Sequence, residues 1–184
     1  SAEMSSPEAK QTLAAARQHN AFHWFVEFPE VISKGGFNAF VGNPPFMRGT
    51  KIQTNISENY LRALLLQHDG INGNADLCAH FFRQAFKLLT IEGCLGLIAT
   101  NTIAQGDTRE GSLRKILDEN GSIYRAITAF RWPGAAAVVV SIIHIYQGYW
   151  SKERFLDGKE CFQIDEYLSS AMSQLSPPHR LNAR

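Results

Sequence analysis

Residues 37–46 read Phe-Asn-Ala-Phe-Val-Gly-Asn-Pro-Pro-Phe, an apolar run that ends in two prolines and an aromatic residue. The first six residues are typical of a short β-strand that is covered on both faces. Asn43 and Pro44 each precede a proline, which disfavours helical backbone, and the two prolines carry no N–H group. We therefore expect a strand at 37–42 that stops abruptly and is followed by a stiff, extended segment.

The segment Asn43-Pro44-Pro45-Phe46 places two hydrogen-bond acceptors and one aromatic ring at the carboxyl end of that strand. The Asn43 side-chain oxygen and the Pro44 carbonyl would accept both protons of a planar exocyclic amine such as that of adenine. The nitrogen lone pair, otherwise delocalised into the ring, would then be free to attack, while Phe46 stacks on the base. Catalysis of this kind rests on orientation and electrostatics. The alternative is a plain strand-ending turn, because Asn and Pro are common in turns.

Strand and helix patterns alternate along the rest of the chain. Helices are predicted from composition and from the spacing of apolar residues, and strands from short apolar or β-branched runs. Residues 22–32 are predicted to be irregular because Pro29 interrupts them. This alternation predicts an α/β fold with a doubly wound, parallel sheet. The predicted helices are 7–18, 57–67, 76–89 and 110–119, and the predicted strands are 37–42, 95–99, 123–131 and 137–146.

Composition favours a globular protein. With 184 residues, 45% hydrophobic and 19% charged, the chain is expected to be soluble and cytoplasmic. Its apolar runs fall short of the roughly 18 residues that cross a membrane. The three cysteines are widely spaced and form no zinc pattern with the six histidines, so no metal site is predicted. The net charge of +1 lacks the basic excess of a protein that binds duplex DNA tightly on its own.

Several stretches together resemble the amino-methyltransferases that use S-adenosylmethionine, specifically the N6-adenine DNA methyltransferases of restriction–modification systems. The segment 43–46 matches the catalytic (D/N/S)PP(Y/F/W) motif of that family. The resemblance covers about residues 20–165. The other stretches that resemble this subgroup are Phe22-His23-Trp24, Glu27-Phe28-Pro29-Glu30-Val31, residues 100–109 and residues 132–135.

The resemblance implies a partial Rossmann-like sheet in which this chain holds strands four to seven, the last of them antiparallel. In that family S-adenosylmethionine binds on the first three strands, through a Gly-containing loop after the first. Gly35-Gly36 precedes the strand at 37–42, but no strand precedes this pair, so we predict that it is a turn. The cofactor-binding first half is therefore expected to be absent, with the cofactor-binding residues unknown and Asn43 close to the methyl donor.

The resemblance also implies a division of the chain and a set of site residues. Residues 1–36 are predicted to form an N-terminal helix and lead-in, 37–150 the target-base half of the methyltransferase domain, and 151–184 an extension toward a further module. A helix cap for Thr108 and core packing for Trp132 are the alternative readings. Catalysis is assigned to Asn43, Pro44, Pro45 and Phe46, and contact with DNA or the base to Asn101, Thr108, Arg109 and Trp132.

The resemblance implies a DNA adenine-N6 methyltransferase that acts on double-stranded DNA, with this chain inactive in isolation and dependent on the missing half of the domain. A strand that normally pairs with that half would leave an open sheet edge, so self-association is expected. Three functions stay open: methylation of adenine in DNA, methylation of a protein glutamine or an RNA base, and a non-catalytic DNA-binding scaffold. The intact Asn-Pro-Pro-Phe segment argues against the scaffold.

Overall fold

The computed structural model describes residues 22–133 and 138–170, together with Ala14. It divides into two compact units, residues 1–36 and residues 37–184. The helix predicted at 7–18 lies outside the described residues, apart from Ala14.

Over residues 22–36, the first unit contains two short helices, α1 (Trp24–Glu27) and α2 (Pro29–Ile32), where the sequence predicted irregular structure. That prediction is wrong because Pro29 occupies the first position of α2, where its missing N–H would have no intrahelical partner in any case. Gly35 and Gly36 form the predicted turn, with φ of 100° and 119°.

The second unit alternates strands and helices in nearly the predicted order. Among the described residues, no helix has the length and apolar character needed to cross a membrane. The strands are β1 (Phe37–Gly42), β2 (Leu89–Thr100), β3 (Gly121–Arg131), β4 (Val139–Gln147), β5 (Arg154–Leu156) and β6 (Lys159–Cys161). The helices are α3 (Gly49–Asn55), α4 (Glu58–Gln67), α5 (Leu77–Lys87), α6 (Gly106–Arg109) and α7 (Lys115–Asp118), and a 3₁₀ turn (Asn101–Ala104) precedes α6.

A π-helical segment, Glu110–Arg114, joins α6 to α7, so that residues 106–118 form one continuous helix. The wider π turn contains one residue more than an α turn. The buried hydroxyl of Ser112 donates to the carbonyl of Thr108, which satisfies an acceptor inside the widened turn. The helix begins at Gly106 rather than at the predicted Glu110, because Gly106 adopts a positive φ of 45° that glycine tolerates and so lets the chain turn into the helix early.

The six strands form one sheet in the order β1-β2-β4-β3-β5-β6. β1 is parallel to β2, and β4 is antiparallel to both β2 and β3. The three strands β1, β2 and β3 therefore run in the same direction, and their carboxyl ends share one edge of the sheet. This arrangement confirms the predicted fold class, a partial Rossmann-like sheet with the last of the four predicted strands antiparallel.

The main core lies between one face of the sheet and the helices α5 and 106–118. Alternate residues of β2 and β4 supply the sheet side of this core, as the period of two in a strand requires. Asp76 caps α5 and Ser57 caps α4 with their side chains, which explains why both helices begin close to the predicted residues. Buried members of the core include Phe82, Phe86, Leu95, Leu97, Leu113, Ile116, Ile143 and Ile145.

The stretch predicted as an extension from residue 151 continues the same unit over its described part. β5 pairs in parallel with β3, and β6 completes a hairpin with β5. Ile164 and Leu168 are buried in the main core. Residues 154–168 thus belong with the sheet, and the predicted passage to a further module stays a prediction.

The opposite face of the sheet carries a shallow apolar cavity of about 300 Å³ at β1, β2 and β4. β1 is the outermost strand on this side, and its Val41 is 92% exposed. An outermost strand offers unpaired backbone groups to another chain. This open edge is consistent with self-association, which stays a prediction. The cavity is lined by Ala39, Val41, Cys94, Gly96, Ile98 and His144, among others.

Two histidines are buried side by side where α4 ends against α5. The rings of His68 and His80 lie 5.5 Å apart, and neither Nδ1 atom has a hydrogen-bond partner among the described residues. Burial, reinforced by the positive charge of Lys87, lowers the pKa of His68 to about 4. Burial likewise lowers the pKa of His80 to about 4. Both imidazoles are therefore neutral in the folded protein near neutral pH.

The low pKa values of His68 and His80 make the stability of the fold depend on pH. Both values lie below the ordinary 6.5, so the unfolded chain takes up protons between pH 6.5 and 4 that the folded chain does not. Stability contributed by the neutral imidazoles is therefore lost as pH falls from about 6.5 to about 4. We expect a loss of about 2 kcal/mol per imidazole between pH 7 and pH 5.

Urea unfolding of the chain at several pH values, followed by circular dichroism, measures this loss. The double variant His68→Gln, His80→Gln is expected to show a much flatter dependence over the same range. An unchanged dependence in the double variant would mean that other groups cause the acid sensitivity.

Candidate active site

The ends of β1, β2 and β3 bring three of the predicted site residues to one edge of the sheet. Asn43 follows β1, Asn101 follows β2 and Trp132 follows β3. Residues far apart in sequence therefore line the same edge, as the parallel directions of these strands require. In register, Gly42 pairs with Leu97, and Thr100 and Phe130 both pair with Val140.

The Asn-Pro-Pro-Phe segment has one buried residue among exposed ones. Pro44 is buried, while Asn43, Pro45 and Phe46 are exposed, Phe46 to 37%. The buried proline anchors the segment in the fold. The amide of Asn43 and the ring of Phe46 are thereby left accessible on either side of it.

The residue that follows the segment is held through both of its backbone groups. The N–H of Met47 donates to Asp76 Oδ1 (3.2 Å), and the carbonyl of Met47 accepts from the N–H of Leu77 (2.8 Å). A short distance further on, a Cβ atom added at Gly49 would lie 1.8 Å from the carbonyl oxygen of Gly73. The segment after the motif thus packs directly on the loop that leads into α5, and only glycine fits at position 49.

Asp76 is itself held by the helix over 106–118. Its backbone N–H donates to Thr108 Oγ1 (3.0 Å), and its Oδ1 also accepts from the N–H of Cys78 (3.1 Å). Asp76 and Thr108 are both buried. Thr108 lies inside the helix that begins at Gly106, so the alternative reading of Thr108 as its cap is wrong.

Arg109 packs against the carboxyl-terminal part of the described chain. Its guanidinium lies 4.0 Å from the centre of the Tyr167 ring and pairs with Glu110. The side chain is only 14% exposed. The contact of Arg109 with DNA stays a prediction.

Trp132 and Asn101 are more accessible than Thr108 and Arg109. Trp132 is 38% exposed, which does not fit the alternative reading of this residue as part of the core. Its backbone N–H donates to the carbonyl of Val138 (2.9 Å). Asn101 is exposed at the start of the 3₁₀ turn that follows β2.

Cys78 lies directly beside Asp76 but does not offer a reactive thiolate. Burial, together with the neighbouring Asp76 carboxylate, raises the pKa of the Cys78 thiol well above its usual range. The thiol is therefore protonated near neutral pH, and it is not suited to act as a nucleophile. In the part of the chain that the structure describes, no group of His, Cys, Asp or Glu residues is arranged to hold a metal ion.

Asp76 is the residue at this site that sequence reasoning did not single out. Its position at the start of a predicted helix, after a Gly- and Asn-rich loop, indicates a helix cap. Nothing in that pattern indicates that the same carboxylate reaches a backbone N–H 29 residues earlier in the chain.

The sequence profile of the Eco57I restriction-modification methylase family matches residues 3–130. The chain belongs to this family. A protein of Methanocaldococcus jannaschii, named as a putative type II restriction enzyme and methyltransferase, is 30% identical over 96 residues, which are 52% of this chain and 7% of that protein. The type IIL restriction-modification enzyme MmeI, solved in complex with DNA, shares the fold with a TM-score of 0.62 and 21% identity, over 77% of this chain and 21% of MmeI.

Membership of the Eco57I family confirms the resemblance to restriction–modification methylases. The chain spans only a small part of the length of each of these relatives. The activity, substrate and partners of the whole protein are therefore matters for proposal.

Proposed function

We propose that this chain forms the target-base half of a DNA methyltransferase that transfers a methyl group from S-adenosylmethionine to N6 of adenine. The observation that carries the proposal is the placement of Asn43-Pro44-Pro45-Phe46 at the carboxyl end of β1, with Asn43 and Phe46 exposed around a buried proline. Membership of the Eco57I family supports the reaction class.

In the proposed reaction, the Asn43 side-chain oxygen and the Pro44 carbonyl accept hydrogen bonds from the two protons of the adenine amine. This geometry turns the nitrogen lone pair out of the ring plane toward the methyl group. Phe46 stacks on the base and holds it outside the duplex. Asn43 and Pro44 would thus orient the amine that accepts the methyl group, and the amine would give up one proton to solvent.

S-adenosylmethionine supplies an electrophilic methyl group when it is bound. Among the described residues no strand precedes β1, and Gly35-Gly36 follow the helix α2 rather than a strand. These residues therefore do not fit the adenosyl and methionine parts of the cofactor, and we propose that other residues hold them. We propose further that Asn43 lies beside the methyl group and that this chain alone is inactive.

Double-stranded DNA is the proposed partner. Asn101 and Trp132 are exposed at the same edge of the sheet as Asn43, so we propose that they contact the flipped base or its neighbours. The exposed side chains of Arg48 and Lys51 follow the motif and supply local positive charge for phosphate groups. Thr108 and Arg109 are mostly buried, and their contact with DNA stays a prediction.

The identity of the methylated product tests this proposal. The full-length gene product, supplied with radiolabelled S-adenosylmethionine and genomic DNA, is expected to yield N6-methyladenine on nuclease digestion and mass spectrometry. Transfer to a release-factor protein or to RNA is expected to stay at background. This chain alone is expected to give no transfer to DNA.

Label recovered as a methylated cytosine, a methylated glutamine or a methylated RNA base would contradict the proposal. No transfer to any of these substrates would instead favour a non-catalytic scaffold.

A further inference from the structure

We infer that Asp76 is a positioning residue that holds the Asn-Pro-Pro-Phe segment in place by fixing the peptide group of Met47. This inference rests on the proposed function, since the segment it positions is the proposed base-binding segment. Asp76 touches neither the base nor the methyl donor in this scheme; it acts through the backbone.

The Asn-Pro-Pro-Phe segment lies between two residues whose backbones are held by hydrogen bonds, Gly42 and Met47. Gly42 is the last residue of β1 in register with β2. Met47, immediately after Phe46, is fixed on the other side, because its N–H donates to Asp76 Oδ1 and its carbonyl accepts from the N–H of Leu77. The two prolines between these points have restricted φ and no N–H of their own. The direction in which Asn43 and Phe46 project is thus set by the strand at one end and by Met47 at the other.

Asp76 is well suited to hold Met47 because its own position is fixed independently. Its carboxylate caps α5 through the N–H of Cys78, and its backbone N–H donates to the hydroxyl of Thr108. Thr108 belongs to a different helix, 32 residues along the chain. One oxygen atom of Asp76 therefore serves both the helix cap and Met47, and the second helix holds the residue that carries it.

A simple helix cap would not need the bond to Met47, and two substitutions separate the two roles. Asp76→Ser keeps a good capping hydroxyl for Cys78, but its shorter side chain does not reach Met47. Asp76→Asn keeps a carbonyl oxygen at the place of Oδ1 and so preserves both bonds. The serine variant is expected to lower kcat by about 100-fold with little change in the KM for DNA, because misplacement of reacting groups by about 1 Å has effects of this size. The asparagine variant is expected to stay within about threefold of the wild type.

Ser57→Ala is the matched control. Ser57 caps α4 by accepting the N–H of Tyr60 (3.0 Å), so the change removes a cap of similar strength elsewhere in the unit. It is expected to lower the melting temperature of the full-length gene product slightly and to leave kcat unchanged. A serine variant of Asp76 whose kcat equals that of the wild type would overturn the inference.

Hydrogen exchange of the Met47 amide provides a readout that does not depend on activity. In the full-length gene product, Asp76→Ser is expected to accelerate this exchange by about tenfold or more, while Asp76→Asn leaves it slow. If the wild type methylates no DNA, the proposed function fails and exchange alone decides the positioning role. In that case, unchanged exchange of the Met47 amide in the serine variant would overturn the positioning role of Asp76, and faster exchange would support it.

Thr108 provides a second test of the same chain of contacts. Thr108→Val removes the acceptor for the Asp76 N–H, whereas Thr108→Ser keeps it. We expect the valine variant to lower kcat and the serine variant to restore it, with the KM for DNA unchanged in both. A rise in KM without a fall in kcat would assign Thr108 a direct contact with DNA and would overturn its part in this positioning.

Discussion

Replacing Asn43 with alanine is expected to slow methyl transfer by about 100-fold to 1,000-fold, because the change removes one of the two acceptors that we propose bind the reacting amine. Asn43 is exposed, so the substitution is expected to change the free energy of unfolding by less than about 0.5 kcal/mol. The rate of a single turnover, measured with the full-length gene product and saturating S-adenosylmethionine, is the appropriate readout because it isolates the chemical step.

Asn43→Asp is the matched control, since aspartate presents an acceptor oxygen at the same place. Asn43→Asp is expected to retain much more activity than Asn43→Ala, because the (D/N/S)PP(Y/F/W) motif that residues 43–46 match allows aspartate at its first position. A wild-type rate in the alanine variant would remove Asn43 from the reaction and would leave the Asn-Pro-Pro-Phe segment as a strand-ending turn.

Replacing Glu119 with alanine is expected to destabilise the fold by about 3 kcal/mol, because it leaves a buried charge without its best partner. The Arg83 side chain is fully buried, and its Nη2 donates to Glu119 Oε1 (2.7 Å) and more weakly to Asp69 Oδ1 (3.4 Å). Its Nε and Nη1 have no hydrogen-bond partner among the described residues. Urea unfolding followed by circular dichroism measures the effect.

Two further variants test this reasoning about Arg83. Arg83→Met fills a similar volume without a charge, so it is expected to destabilise the fold less than Glu119→Ala. Glu58→Ala removes an ion pair with Arg62 in which both side chains are about two-thirds exposed, and it is expected to change stability by less than about 0.5 kcal/mol. A larger loss in Arg83→Met than in Glu119→Ala would show that the contacts of the arginine, rather than its uncompensated charge, dominate.

The sequence predicts those parts of the fold in which local patterns and tertiary packing agree. β1 occupies 37–42 as predicted, because the apolar run and the following prolines both define its limits. The helix predicted at 76–89 begins after Asp76, where a capping residue precedes an amphipathic pattern. The short strands β5 and β6 were not predicted, since three residues are too few to show a period of two.

The candidate site is less predictable because its contacts join distant parts of the chain. The Asn-Pro-Pro-Phe segment is recognisable from residue types alone. Two hydrogen bonds, from Met47 to Asp76 and from Asp76 to Thr108, depend on how α5 and the helix 106–118 approach the end of β1. No local pattern contains that information, so the bond between Asp76 and Thr108 could not be predicted from the sequence.

The π-helical segment Glu110–Arg114 constrains which insertions and deletions this family member can accept. An α-helix advances by about 100° per residue, so losing one residue here would convert the segment to a regular helix and swing its first turn around the axis by roughly that angle. Thr108 would then face away from Asp76. The extra residue thus sets the rotation of Thr108 about the helix axis. Deleting a single residue here would break the bond between Thr108 and Asp76 and so loosen the attachment of the Asn-Pro-Pro-Phe segment.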